Sequence, residues 1–222
     1  MNKHIIFDLD ETIGYFKQFI FILNIIESYH SLNTSIDYNI YFKLFEDYFR
    51  PNIFNIFEMI SSKKKMKHIK YVILYTNNNN NDFVYKVIDY IHKKVNTILF
   101  DHIITYNSNR MHKTKSYEDL IYCIPQIKDE LLCFIDDKIH ICMKSNLNVS
   151  YIKCEKYIYH LSNDVIIDRL ILSNPNYNKT HLKTILKKFK GSKKELPKYV
   201  HHFSSKKMLH HIEIFIHNIP VI

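Results

Sequence analysis

The sequence predicts one α/β domain built around a parallel β-sheet. Three short and mainly apolar runs, Ile5–Phe7, Lys70–Tyr75 and Leu131–Ile135, have the length of buried strands and alternate with longer segments of helical periodicity. Asp or Thr residues follow each run directly, and open α/β sheets bind ligands at the carboxyl ends of their strands. A chain of 222 residues suits one such domain with a modest insert.

The first run leads into the segment that carries the clearest chemistry. Asp8 and Asp10 follow the strand at alternate positions, and Thr12 comes next. Two carboxylates beside a buried strand are costly to desolvate unless a cation lies between them. Mg²⁺ is the obvious candidate, because it takes carboxylates together with phosphate oxygens and water. The alternative is an ordinary strand end with two solvated acids.

Helical patterns fill the region between the first two strands. Tyr15–His30 is predicted to be a helix, Ser31–Ser35 a polar break, and Ile36–Phe49 a helix with an aromatic stripe. That stripe is more typical of a core face than of a cofactor site. A further helix is expected from Arg50-Pro51 to Ile60, with proline in its first turn.

The second strand ends at Thr76-Asn77. A threonine after a strand is often only a cap, and Asn77–Asn81 supplies other capping residues. A helix over Asp82–Lys94 and a third strand over Ile103–Tyr106 are expected next.

A polar loop with three bases precedes a short predicted helix, Ser116–Cys123. The bases are Arg110, Lys113 and Lys115, each of which is a surface base in the simplest interpretation. The fourth strand then runs into the adjacent acids Asp136 and Asp137, which again favour a cation. A fifth strand at Val149–Ile152 and a helix at Asp164–Leu172 complete the pattern.

The segment after Asn174-Pro175 is a basic extension with two predicted helices, Thr180–Phe189 and Ser204–His217. Its lysines either contact phosphates or form a solvated face, which is the commoner role of a charge run. They are Lys187, Lys188, Lys190, Lys193, Lys194 and Lys198. Its histidine pairs, expected at the surface rather than on a metal, are His201-His202 and His210-His211.

Composition limits the possible partners and environments. A net charge of +9 suits an anionic partner, whether a phosphoprotein, a nucleic acid or an acidic surface. No apolar run is long enough to span a membrane, no secretory signal is visible, and the four cysteines lack metal-binding spacing. We therefore expect an intracellular protein, cytoplasmic or nuclear. The abundance of Ile, Asn, Lys and Tyr indicates an AT-rich genome, such as that of a large DNA virus or a protist.

Four motifs in order resemble those of the haloacid dehalogenase (HAD) superfamily. They are Asp8-Leu-Asp-Glu-Thr12, Thr76 after the second strand, a lysine before the Ser116 helix, and Asp136-Asp137. The first motif, together with Arg50-Pro51 and Tyr75-Thr76, is similar to the branch of RNA polymerase II C-terminal-domain phosphatases. Glu11 stands where most members of the superfamily have glycine, and this variant is the one that resembles the branch. The chain departs from the branch where Asn52 replaces glycine and where Lys138-Ile139 replaces Ser-Pro.

The resemblance implies a fold, a metal and a role for each motif residue. The fold is a three-layer sandwich with a Rossmann-like parallel sheet, whose first strand lies between the second and the fourth. Asp8 is the nucleophile that forms an aspartyl-phosphate, and Asp10 is the general acid and base. Mg²⁺ is held by Asp8, the Asp10 carbonyl and Asp136, while Asp137 orients a bound water. Thr76 and Lys115, or Lys113, hold the transferring phosphoryl group.

The expected organisation is a phosphatase core over residues 1–175, with 15–49 as a small helical cap, and the basic extension over 176–222. A small cap favours a macromolecular substrate. The first hypothesis is a protein Ser/Thr phosphatase. The second is a phosphatase of nucleotides or nucleic-acid ends, and the third is a catalytically weak binding protein with the same fold.

Overall fold

A five-stranded parallel sheet forms the centre of the computed structural model, which describes residues 1–30, 35–191 and 195–217. The strand order is β3-β2-β1-β4-β5, so β1 lies between β2 and β4, as the resemblance implies. The prediction of an α/β fold with a parallel sheet is confirmed. The strands are β1 (Lys3–Phe7), β2 (Tyr71–Tyr75), β3 (His102–Ile104), β4 (Leu131–Asp136) and β5 (Val149–Lys153).

Helices cover both faces of this sheet and make three layers. Along β1, Ile5 and Phe7 face one apolar cluster while Ile6 faces another, because successive side chains of a strand point to opposite sides. A parallel sheet buried on both faces explains why its strands are almost continuously apolar. The helices are α1 (Lys17–Tyr29), α2 (Tyr38–Leu44), α3 (Ile53–Lys65), α4 (Asn81–Lys94), α5 (Tyr117–Cys123), α6 (Ile141–Lys144), α7 (Asn163–Ser173), α8 (Lys179–Leu186) and α9 (Lys198–His217).

Several boundaries differ from the predictions for identifiable reasons. Strand β3 ends at Ile104 rather than Tyr106, because Thr105 and Ser108 close a turn in which the Thr105 amide donates to Ser108 Oγ at 2.9 Å. Helix α3 begins at Ile53 rather than Arg50, since Asn52 has a left-handed backbone with φ of 62°. Helix α9 begins at Lys198, six residues before the predicted start.

The insert over 15–49 packs into the larger apolar cluster. Its aromatic stripe is buried there, as predicted, with Phe42 and Tyr48 fully inaccessible to solvent. The ring of Phe19 on α1 packs against both of them, with centroids 4.9 and 5.5 Å away. Of the polar break, residues 31–34 lie outside the described part of the chain.

The basic extension shares that same core. Leu182 and Leu186 of α8 and Met208 and Ile212 of α9 are buried in the larger cluster, so the charges of this segment accompany a buried apolar face. The lysines at 187, 188, 190 and 198 are exposed, whereas those at 193 and 194 lie outside the described residues.

One expectation about the extension is wrong. His201 is not at the surface but buried, with its ring 4.8 Å from that of Tyr157, because α9 turns this position inward. The other three histidines of the pairs are exposed, as expected. None of the described helices combines the length and the apolar character needed to cross a membrane.

Candidate active site

The carboxyl ends of β1, β2 and β4 meet around a cavity of about 150 Å³. The Asp8 amide donates to the Ile135 carbonyl at 3.0 Å, and the Thr76 amide donates to the Ile104 carbonyl at 2.8 Å, so the strand pairing itself fixes these two positions. Six of the predicted site residues line the cavity, namely Asp8, Asp10, Thr76, Lys115, Asp136 and Asp137, together with Asn77, Asn78, Lys138 and His140.

Lys115 joins two of the strands electrostatically. Its ammonium group is buried and contacts Asp8 Oδ1, and it lies 2.7 Å from Asp136 Oδ2. Burial alone would lower the pKa of Lys115, but these two carboxylates outweigh burial and raise it. Lys115 is therefore a fixed positive charge in the lining of the cavity.

Lys113 lies outside the cavity. Its side chain is exposed, donates to the Tyr106 carbonyl at 2.6 Å and lies over the Tyr106 ring, 4.5 Å from the centroid. Of the two lysines left open by the sequence, the structure brings only Lys115 to the acids.

Arg110, the third base of the loop, belongs to a buried network beside the cavity. It pairs with Asp119 at 2.7 Å, donates to the Tyr75 hydroxyl at 3.0 Å and donates to Asn77 Oδ1 at 2.7 Å. These contacts tie the lysine loop to the end of β2, so the expectation of a surface base is wrong for Arg110.

Asp136 is the most fully bonded of the four acids. Its Oδ2 also lies 3.2 Å from His140 Nε2, and its Oδ1 accepts from the Lys138 amide at 2.8 Å. Burial would raise the pKa of Asp136, but the hydrogen bond from His140 and the charge of Lys115 hold it below its usual range. His140 is a site residue that sequence reasoning missed, since it follows the strand in a loop without periodicity.

Asp137 is held by the first motif. Its amide donates to Thr12 Oγ1 at 2.9 Å, which places its carboxylate beside that of Asp8. Burial, together with the charges of Asp8 and Asp136, raises the pKa of Asp137 to about 6. Carboxylate oxygens of these three residues all lie within 4.8 Å of one another.

The donor set of the cavity fits a hard divalent cation. Four buried or partly buried acids surround one buried ammonium group, so negative charge is in excess. Burial and the charge of Asp136 raise the pKa of Asp8 even though Lys115 opposes them. A cation among Asp8, Asp136 and Asp137 would relieve this repulsion, and carboxylate oxygens are the ligands that Mg²⁺ prefers.

Asp10 lies at the side of the cavity nearest β2. Its Oδ2 accepts from Asn78 Nδ2 at 2.9 Å, and burial, followed by the charge of Asp8, raises the pKa of its carboxyl to about 6. Thr76 is buried, and its Oγ1 accepts from the Asn78 amide at 3.1 Å. Asn78 therefore connects two predicted site residues. Sequence reasoning did not single out Asn78, because it lies in a run of five asparagines that were expected to be capping residues. Asn80 of this run does cap α4.

The described part of the insert, residues 15–30 and 35–49, does not line the cavity. It packs into the larger apolar cluster instead. No protein-family model matches the chain, and no curated protein matches it.

Proposed function

We propose that the protein is a phosphomonoester hydrolase that works through an aspartyl-phosphate on Asp8. The observation that carries the proposal is the pairing of two differently placed acids with one buried cation. Burial raises the pKa of both acids, but Asp8 contacts the Lys115 ammonium group, whereas Asp10 accepts from the neutral Asn78 amide. Two acids whose environments differ in this way suit a nucleophile and a general acid.

The chemistry can be written with the residues that line the cavity. A carboxylate oxygen of Asp8 attacks phosphorus, the bond to the leaving oxygen breaks, and Asp10 gives its proton to that oxygen. Water then attacks the aspartyl-phosphate and gives a proton to Asp10, which releases phosphate and restores the Asp8 carboxylate. A pKa near 6 is well matched to both proton transfers at neutral pH.

Lys115 and Thr76 would position the phosphoryl group. Both are buried and line the cavity, where a charge and a hydroxyl act more strongly than they do in water. Asp8, Asp136 and Asp137 would hold Mg²⁺, which when bound neutralises charge on the phosphoryl oxygens. Metal binding would also lower the pKa of Asp8 and keep it ionised for attack.

A macromolecular substrate is favoured because none of the described residues of the insert lines the cavity. We infer a phosphoprotein, since the resemblance of the first motif and of Arg50-Pro51 is to protein phosphatases. Phosphorylated nucleic-acid ends are the second candidate, favoured by the exposed lysines at 187, 188, 190 and 198.

The decisive experiment measures Mg²⁺-dependent hydrolysis of para-nitrophenyl phosphate by the parent protein and by Asp8→Asn and Asp10→Asn. We expect Asp8→Asn to abolish turnover and the trapping of beryllium fluoride, which mimics the aspartyl-phosphate. Asp10→Asn should retain Mg²⁺ binding and slow both chemical steps by about 100-fold or more. Near-parental activity of Asp8→Asn would refute the mechanism.

The substrate class is separated by salt dependence. Hydrolysis of a phosphorylated oligonucleotide should fall steeply with salt if the lysines contact its backbone, because each contact releases counterions. This salt dependence should become weaker when Lys187, Lys188, Lys193 and Lys194 are changed to Gln. Turnover of para-nitrophenyl phosphate should not change. A phosphoprotein enzyme should instead hydrolyse phosphopeptides with a mild salt dependence. The nucleic-acid candidate would be favoured if the protein hydrolysed phosphorylated oligonucleotides but no phosphopeptides, and if the four changes reduced the salt dependence of that hydrolysis.

A further inference from the structure

Arg50 is the largest side chain that is fully buried, and its guanidinium is bonded to backbone from distant parts of the chain. Its Nε donates to the Thr12 carbonyl, and its Nη2 donates to the Glu11 carbonyl at 2.7 Å and to the Glu155 carbonyl at 2.6 Å. Its Nη1 lies 3.4 Å from Ser204 Oγ on α9. One planar cation thus connects the first motif with the segment after β5 and with the last helix.

The part of the first motif that Arg50 holds has an unusual backbone. Glu11 is left-handed, with φ of 65°, a conformation that residues other than glycine rarely adopt. The Glu11 carbonyl accepts from the Tyr157 amide at 2.8 Å as well as from Arg50. The Arg50 amide also donates to the Ile13 carbonyl at 2.9 Å. Both the backbone and the side chain of Arg50 therefore hold this turn in place.

The turn connects directly to the acids of the cavity. Glu11 directly follows Asp10 in the chain. Thr12 accepts from Arg50 through its carbonyl and from the Asp137 amide through its hydroxyl. A shift of the turn would consequently move both the general acid and one carboxylate of the acid cluster. Arg50 itself is not among the residues that line the cavity.

We propose that Arg50 is a positioning residue for the reaction, acting through the turn over Glu11–Gly14 that sets the placement of Asp10 and Asp137. This inference rests on the proposed phosphatase function for its kinetic consequence. The guanidinium donates from two separate nitrogens, Nε and Nη2, to carbonyls of different parts of the chain. The single nitrogen of lysine lacks this planar spread of donors, so lysine should not replace arginine here although it keeps the charge.

The experiment compares Arg50→Lys with Arg169→Lys as a matched control. Arg169 is also bonded to backbone, since its Nη1 donates to the Leu44 carbonyl at 2.8 Å and pairs with Asp47, but it makes no contact with the turn. Two quantities are measured for each protein: kcat and KM for para-nitrophenyl phosphate, and hydrogen exchange at the amides of Glu11, Ile13 and Gly14.

We expect Arg50→Lys to lose about 100-fold in kcat with KM nearly unchanged, the size of loss that a misplacement of about 1 Å produces. Hydrogen exchange should accelerate at the three turn amides and stay at the parental rate at the amides of the β-strands. Arg169→Lys should leave both quantities at the parental level. If a folded Arg50→Lys keeps parental kcat, or if exchange accelerates throughout the chain, the positioning role is overturned.

Two further outcomes also decide the question. If Arg50→Lys does not fold, the same change is made in a Glu11→Gly background, where the left-handed position of the turn carries no strain. Parental kcat and parental turn exchange in that double variant, compared with Glu11→Gly alone, overturn the proposal. If the parent protein hydrolyses no phosphomonoester, the proposed function fails by itself. The exchange measurement still decides whether Arg50 holds the turn.

Discussion

Asp137→Asn should stabilise the protein when no divalent cation is present. Asp137 is buried beside Asp8 and Asp136, and its pKa near 6 compares with 3.8 for an unperturbed aspartate. A difference of this size corresponds to about 3 kcal/mol of unfolding free energy once the carboxyl is ionised in both states. Allowing for solvent screening at the cavity mouth, we expect a gain of about 2 kcal/mol in the variant.

The sign follows from proton binding. A carboxyl whose pKa is higher in the folded chain contributes its full stability below pH 3.8 and loses it as the pH rises through about 6. The gain from Asp137→Asn should therefore be absent at pH 4 and complete at pH 8. In melting experiments with EDTA, about 2 kcal/mol corresponds to roughly 4–8 °C for a chain of this size.

Mg²⁺ should reverse the comparison. A ligand at 100 times its Kd stabilises the folded state by about 2.7 kcal/mol, and the parent protein should gain more of this than the variant that lacks one ligand. Asp168→Asn, which neutralises an exposed acid on α7, is the control and should change neither measurement. No stabilisation of Asp137→Asn at pH 8 in EDTA, or an equal Mg²⁺ response in both proteins, would refute the reasoning.

Three further predictions concern the lysine loop, a buried histidine and a left-handed residue. Lys115→Gln should lower kcat/KM for para-nitrophenyl phosphate by about 100-fold or more, while Lys113→Gln should change it far less. Burial lowers the pKa of His4 to about 4, and both its ring nitrogens lack a partner among the described residues, so stability should fall as the pH drops from 6.5 towards 4. Urea titration measures the unfolding free energy of His4→Phe relative to that of the parent protein. This difference should favour the variant by about 1–2 kcal/mol more at pH 5 than at pH 7.5. Asn52→Ala should cost about 1 kcal/mol, whereas Asn52→Gly should cost nothing, because the Asn52 side chain makes no cap hydrogen bond.

The sheet and its acids were predictable because their signals are local. An apolar run predicts a buried strand, and the residues that follow it must lie at the edge of a parallel sheet. Asp8, Thr76 and Asp136 meet at that edge for this reason alone. No long-range information was needed to bring them together.

The loops were not predictable in the same way. Lys113 and Lys115 are two residues apart, and the side chain that turns inward is set by the path into α5, where Ser116 Oγ accepts from the Asp119 amide at 3.1 Å. His140 and Asn78 lie in segments without hydrophobic periodicity. Their roles depend on contacts between loops of different strands, which spacing along the chain does not encode.

The insert and the extension show a second limit of sequence reasoning. Apolar residues at helical spacing, such as Leu182 and Leu186, indicate that a face is buried but not what covers it. The charges of the extension indicate a solvated surface, but the opposite, apolar side of the same helices is part of the larger apolar cluster. Removal of the extension should therefore destabilise the whole domain.

Glu11 and Asn52 stand at positions where motifs that the sequence resembles have glycine. Glu11 and Asn52 both have left-handed backbones, with φ of 65° and 62°, so the chain keeps a conformation that glycine adopts without strain. Asparagine tolerates this conformation better than most residues. Glutamate does not, and its cost is offset by the bonds that its carbonyl receives from Arg50 and Tyr157 and by an ion pair with Lys156 at 3.0 Å. The left-handed backbone of Glu11 thus makes the turn depend on Arg50. Arg50→Lys should therefore reduce kcat less in a Glu11→Gly background than in the parent protein.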